Sequence, residues 1–168
     1  WCWSEFSEDL DIDFNGFAWI RDAGNVLFDP PPLSAHDREH LKTLGGCAFI
    51  LITNSFHVRG AGEIAAEFGA KTIGPSAERD GFPIPCDRWL DDGVEAIPGL
   101  LTFAMEGSKT PGELAFVLDG TDAIFGDLVR SHRADELQLL KPEQGLADRA
   151  KAGDSIRRLL RFEKLRGI

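Results

Sequence analysis

Paired cysteines are missing from this sequence. Its three cysteines are Cys2, Cys47 and Cys86, and no two of them stand in a C-x-x-C spacing. An odd number without that spacing indicates neither a disulfide framework nor a zinc knuckle. Unpaired cysteines are typical of a reducing compartment, so we expect a cytoplasmic protein.

Positive charge and long apolar segments are also scarce. The chain has eighteen basic and twenty-eight acidic residues, which gives a formal net charge of −10. Such a charge repels phosphate backbones and anionic lipid at long range, so nucleic acid is not an expected partner. The most apolar segment, residues 48–52, is too short to cross a bilayer, and the amino terminus lacks the basic-then-apolar order of a secretion signal. We therefore predict a soluble protein with no membrane partner.

Internal repeats and flexible linkers are absent as well. The one proline-rich stretch, residues 30–32, is too short to act as a linker. A chain of 168 residues with 43% apolar content can bury one core of ordinary size. The sequence therefore predicts a single domain over residues 1–168.

The first part of the chain carries strand and helix patterns in alternation. Apolar segments at residues 17–20 and 26–28 flank a turn-forming group at residues 22–25, which predicts a β-hairpin. A serine helix start and two stopping glycines bound a predicted helix over residues 35–44.

A strand, helix and strand follow in order. The compact β-branched run at residues 47–53 predicts a strand that is buried on both faces. Apolar residues at i, i+3, i+4 and i+7 over residues 61–68 predict an amphipathic helix that ends at Gly69, before a strand at residues 71–73. This order implies a parallel crossover and therefore the α/β class.

Short apolar runs in the second half predict another, mainly antiparallel sheet. An Asp-Gly pair between the last two runs is a strong hairpin signal. An amphipathic helix is expected over about residues 146–166. The strand-like runs are residues 94–97, 100–105, 114–118 and 123–125.

Two local motifs offer chemistry, but a simpler interpretation is favoured for each. Residues 36–40 fit H-x-x-E-H, which zinc peptidases use, yet this helix is short and charged over much of its surface, so we favour a solvated helix face. The glycines Gly60 and Gly62 fit G-x-G-x-x-A at a helix start, where backbone N–H groups could hold a nucleotide phosphate. Six residues separate Thr53 from Gly60, so we favour a glycine-rich helix entry and keep nucleotide binding as an alternative.

Five segments in order carry a more specific signal. They are N-G-F-A-W-I with G-N-V-L-F-D-P from residue 15, F-I-L-I-T at 49–53, D-D-G with I-P-G-L from 91, K-T-P-G-E at 109–113 and I-F-G-D-L at 124–128. Together they resemble the successive motifs of the metallo-β-lactamase superfamily, including its H-T-P-G-H and F-T-G-D-x segments. The resemblance implies an α/β fold of the αββα sandwich type, with two sheets packed face to face, and a hydrolase ancestry. The chain stops where the family adds a final strand, so we expect a fold that is short at the carboxyl end.

Most of the metal ligands that the resemblance implies are replaced. After Thr53, where the family has T-H-x-H-x-D-H, the ligand positions carry other residue types, and only a shift of the loop matches His57 to the last histidine. The next ligand position carries Lys109, and Asp127 matches the metal-bridging carboxylate. The replaced positions are Asn54, Phe56, Val58 and Arg59.

A buried Asp127 without a metal is costly unless another cation approaches it. Lys109 and Arg59 are the candidate cations, so we favour a cavity in which one of them pairs with Asp127. The resulting hypothesis is a degenerate metal site in a catalytically altered or inactive hydrolase relative, with no cofactor and an unknown small-molecule ligand.

The alternative hypothesis keeps a metal. His57, Asp127 and His132 would form a mononuclear site for zinc or another divalent metal, whose bound water would act as the nucleophile of a hydrolase.

A homodimer is also expected, because the sheet edge left without a final strand could be covered by a second chain.

Overall fold

The computed structural model describes residues 1–9, 11–133 and 136–165, without the side chains of residues 132 and 133. It divides into two compact units, Trp1–Gly74 with Phe82–Trp89, and Pro75–Gly81 with Leu90–Ile168. A single domain over residues 1–168 stays a prediction. Across the described ranges, no helix has the length and the apolar character that crossing a bilayer requires.

A six-stranded sheet forms most of the first unit. Its strands lie in the order β1 to β6; β2 is antiparallel to both of its neighbours, β1 and β3, and β4 is parallel to both of its neighbours, β3 and β5. The predicted hairpin is confirmed, since Phe17 lies opposite Phe28 and Trp19 opposite Val26. The strands are β1 Cys2–Ser7, β2 Ile12–Trp19, β3 Val26–Phe28, β4 Phe49–Leu51, β5 Lys71–Pro75 and β6 Arg88–Leu90.

Two helices of this unit form where their terminal signals predict them. Helix α1 spans Ala35–Thr43, and the Ser34 hydroxyl accepts a hydrogen bond from the Asp37 amide at its start. Helix α2 spans Ala61–Phe68 and ends at Gly69, whose φ of 68° lies in the left-handed region. Because α2 connects the parallel strands β4 and β5, the predicted crossover and the α/β class are confirmed.

The second unit contains the predicted antiparallel sheet. Its four strands lie in the order β10, β9, β8, β7 and all pair antiparallel. A separate two-stranded sheet joins β11 to β12. The strands are β7 Glu95–Ile97, β8 Leu100–Ala104, β9 Leu114–Leu118, β10 Asp122–Ile124, β11 Val129–Arg133 and β12 Glu136–Leu139.

The last helix is shorter than the sequence predicted. Helix α3 spans Arg149–Arg157 and continues as a 3₁₀ turn, Arg158–Arg161. Its start is set by Asp148, whose carboxylate accepts hydrogen bonds from the backbone amides of the first turn. Near its end Phe162 packs edge-on against Phe103, so the chain leaves the helix to cover the core. Residue 166, the predicted end, lies outside the described residues.

Candidate functional site

In the first unit, Asp29 joins the carboxyl ends of two parallel strands. It directly follows β3, and its buried carboxylate accepts hydrogen bonds from the amide and the hydroxyl of Thr53 at 2.7 and 2.6 Å. His57 Nδ1 lies 2.7 Å from the second carboxylate oxygen. Because a carboxylate only accepts hydrogen bonds, His57 carries its proton on Nδ1 in this contact. The three residues thus form a buried network at one edge of the sheet.

The loop after Thr53 places each replaced ligand position in a different environment. Asn54 is fully buried and caps a 3₁₀ turn, Ser55–His57, by accepting a hydrogen bond from the Phe56 amide. The Phe56 side chain is 63% exposed, whereas Val58 packs against the apolar core of the unit. A capping amide, an exposed ring and an apolar side chain are not the imidazole, thiolate or carboxylate ligands of a zinc or iron site.

Arg59 has contacts of its own within the first unit. Its guanidinium lies 4.4 Å from the centre of the Phe14 ring, which is a cation–π distance. Its Nη1 donates to the backbone oxygen of Asp29 at 3.3 Å. Arg59 therefore contacts the strand end that carries the buried network. Its predicted pairing with Asp127 stays a prediction.

In the second unit, two cations contact Asp127. Lys109 Nζ lies 2.7 Å from one carboxylate oxygen and Arg130 Nη2 lies 2.8 Å from the other. Arg130 Nε also donates to the backbone oxygen of Asp127 at 3.1 Å. The Asp127 side chain is 8% exposed, against 25% for Lys109 and 24% for Arg130. We call these three residues the Asp127 cluster.

Sequence reasoning missed Arg130. The motif comparison directs attention to the family's ligand positions, and Arg130 is not one of them. A signal was nevertheless present, because Arg130 follows Asp127 by three residues at the start of β11. A side chain at that distance can fold back over a short irregular segment onto the carboxylate.

A fully buried carboxylate, Glu113, connects the two segments that carry this cluster. One of its oxygens accepts a hydrogen bond from the Leu128 amide at 2.8 Å, and the Ser108 hydroxyl donates to the other. Ser108 precedes Lys109 and Leu128 follows Asp127 in the sequence. Glu113 therefore joins the Ser108 side chain, next to Lys109, to the Leu128 backbone, next to Asp127.

The described residues do not include the group of metal ligands that the resemblance implies. Within residues 1–9, 11–131 and 136–165, no three His, Cys, Asp or Glu side chains are grouped so that they could hold a metal ion. The carboxylate of Asp127 instead binds an ammonium and a guanidinium. The His132 side chain lies outside the described residues, so the set of His57, Asp127 and His132 stays a prediction.

The structure favours the simpler interpretation of each local motif. On α1 the side chains of His36 and His40 are exposed, and Glu39 is paired with Lys42 at 2.7 Å. A solvated helix face is thus the interpretation that fits. A Cβ atom built on Gly60 would lie 2.7 Å from the backbone nitrogen of Pro32, so close packing explains this glycine. Nucleotide binding there stays a prediction.

Two cysteines, Cys47 and Cys86, have a shifted pKa, and neither is an activated thiol. Burial raises the pKa of Cys47 to about 12 and that of Cys86 to about 11. Both thiols therefore stay protonated at neutral pH, and the thiolate is the nucleophilic form. Metal-free nucleophilic catalysis at these two positions is disfavoured.

A family model described as the metallo-beta-lactamase superfamily matches residues 1–168, which is the whole chain. The chain therefore belongs to the metallo-β-lactamase superfamily. A search of curated proteins found no match.

Solved structures with a similar fold support this assignment. DIM-1 metallo-β-lactamase has a TM-score of 0.74 at 18% identity, over 98% of this chain and 81% of that chain. TTHA1623 in a di-iron-bound form has a TM-score of 0.69 at 19% identity, over 95% of this chain and 86% of that one. ETHE1 from Myxococcus xanthus has a TM-score of 0.62 at 17% identity, over 95% and 69%. At these identities the likeness shows the fold, and the predicted metallo-β-lactamase-like α/β fold is confirmed.

Proposed function

We propose that this protein is a catalytically altered or inactive relative of metallo-β-lactamase-fold hydrolases, with protein cations at the carboxylate that a metal would otherwise bind. The observation that carries the proposal is the Asp127 cluster. Lys109 and Arg130 each contact a different oxygen of a carboxylate that is 8% exposed. A metal that bound these oxygens would first have to displace both contacts.

Electrostatics supports this assignment. A buried carboxylate needs a partner, because transfer of an unpaired charge out of water costs several kcal/mol. A divalent metal provides that partner in a metalloenzyme, and here an ammonium and a guanidinium do so. Both cations belong to the chain, so the folded protein needs no bound ion to neutralise Asp127.

One contact favours a second candidate, a metal-dependent hydrolase that uses His57, Asp127 and His132. His57 Nδ1 is bonded to the Asp29 carboxylate, and histidines that bind metals through one ring nitrogen commonly donate the other to a carboxylate. The same contact also satisfies a buried histidine that has no metal. We rank this candidate second because the neighbouring ligand positions carry an amide, an exposed ring and an apolar side chain.

Elemental analysis of the purified protein separates the two candidates. We expect the wild type to contain no stoichiometric zinc, iron or manganese, and we expect EDTA to leave its melting temperature unchanged, because metal that binds only the native state adds to stability. The matched variants are Asp127→Asn and Asp154→Asn, the second of which changes a carboxylate that is 75% exposed. About one equivalent of metal that is lost in Asp127→Asn and kept in Asp154→Asn would overturn the proposal.

A further inference from the structure

Arg130 has hydrogen-bonding capacity that its protein contacts do not use. Its Nε donates to the Asp127 backbone and its Nη2 contacts the Asp127 carboxylate. Among the residues that the structure describes, none accepts a hydrogen bond from Nη1. The side chain is 24% exposed, and Nη1 is not among the buried polar atoms of the described residues that lack a hydrogen-bond partner, so this edge of the guanidinium is within reach of solvent.

Two of the three residues in the Asp127 cluster are cations. Lys109 Nζ and Arg130 Nη2 each contact the Asp127 carboxylate, and the buried Glu113 carboxylate accepts its hydrogen bonds from the Ser108 hydroxyl and the Leu128 amide. A partly buried guanidinium beside an ammonium attracts anions more strongly than the same groups do in bulk water.

The free edge of Arg130 is the better of two places for an anion. Lys109 also lines an open cavity of about 540 Å³, but the carboxylate residues Glu106 and Asp148 line it too. These acidic side chains oppose an anion on that side. A guanidinium fork matches two oxygens of a phosphate or a carboxylate in one plane, which an ammonium does not do.

We infer that the Asp127 cluster is a binding site for a small oxyanion, a phosphate or a carboxylate group, held by Arg130 and attracted by the neighbouring Lys109. The inference rests on the proposed function, because it requires protein cations at Asp127 where a metal would otherwise be. Asp127 then acts as a positioning residue that orients both cations. The ligand itself contacts the guanidinium.

Calorimetric titration with two probes, inorganic phosphate and acetate, tests the inference at constant ionic strength. We expect saturable binding of at least one probe with a Kd below about 5 mM. Arg130→Gln should weaken it by about tenfold, the loss of a charge-assisted pair. The matched control is Arg149→Gln, which makes the same charge change at an exposed side chain for which no contact is described. Preference for phosphate or for acetate identifies the class of ligand.

A third variant, Arg130→Lys, keeps the charge but lacks the fork, and it serves if Arg130→Gln does not fold. It should fold and bind more weakly than the wild type. Absence of saturable binding to both probes, or equal weakening by Arg130→Gln and Arg149→Gln, would refute the inference. A metal-free protein that binds neither probe refutes this inference alone, whereas a stoichiometric metal bound through Asp127 refutes the proposed function.

Discussion

Replacing Lys109 by methionine removes the ammonium that contacts Asp127 and keeps a side chain of similar length. At the observed separation of 2.7 Å, the attraction between two unit charges is about 6 kcal/mol at an effective dielectric constant of about 20. Desolvation of the carboxylate offsets part of this value, and Lys109 is 25% exposed, so solvent screens another part. Arg130 still contacts Asp127 in the variant. We therefore expect a net loss of about 2–3 kcal/mol of unfolding free energy.

Urea unfolding followed by circular dichroism measures this loss. In a chain of this length it corresponds to a fall of about 5–10 °C in melting temperature. The same substitution is then made in an Asp127→Asn background, where it should cost little, because the charge that Lys109 neutralises is gone. Lys151→Met is the control, since Lys151 is 61% exposed and lies 3.9 Å from Glu106. Equal cost of Lys109→Met in both backgrounds would refute the reasoning, and so would a cost no larger than that of Lys151→Met.

Three further predictions concern a buried carboxylate, a close-packed glycine and a partly buried cysteine. Glu113→Gln leaves the Leu128 amide or the Ser108 hydroxyl without an acceptor, so it should cost about 1–3 kcal/mol in urea unfolding; a cost equal to that of the exposed control Glu143→Gln would contradict it. Gly60→Ala should lower the melting temperature because its Cβ meets backbone at 2.7 Å, whereas Gly62→Ala, whose nearest contact is 3.9 Å away, should not; equal effects would contradict the close packing. Burial raises the pKa of Cys86 to about 11, so the folded state keeps this thiol protonated up to a higher pH than the unfolded state does. The free energy of unfolding should therefore fall as the pH rises from about 9 towards that value. Cys86→Ser should reduce the fall.

Much of the first unit could be predicted because its sequence signals are local. The apolar stripe of α2 and its terminal Gly69 lie within one short segment, and so do Ser34 and Asp37 at the start of α1. Strand β4 was recognisable because burial on both faces leaves a continuous apolar run. The boundaries of these elements are therefore encoded in the local sequence.

Other elements lacked such a signal. Strand β1 reads C-W-S-E-F-S, and Trp3 is its one buried residue, so no apolar run marks it. In the final hairpin, the side chains of β12 are exposed or half-buried, so no continuous apolar run marks this strand either. Helix α3 was predicted too long because apolar spacing continues past the point where the chain turns at Phe162. Here the three-dimensional context decides the boundary.

The residues of the candidate site could be predicted from the sequence better than the contacts between them could. The motif comparison marked Asp127, Lys109 and His57, but it did not place Asp29 opposite His57 and it overlooked Arg130. The Asp29–His57 contact spans 28 residues of sequence, and it depends on the parallel pairing of β3 with β4. A contact between residues so far apart in sequence is set by the pairing of the strands in the sheet, so the sequence around either residue carries no pattern that predicts it.

The network at Asp29 anchors the loop after Thr53 from one side. Its contacts involve Thr53 and His57, at sequence separations of 24 and 28, and Phe56 lies between these two residues with a ring that is 63% exposed. Exchange of Phe56 therefore leaves the junction of the two strands intact, whereas the fully buried Asn54 caps the turn that carries His57. A scaffold of this kind can change its chemistry at an outward position while the contacts that join its strand ends remain.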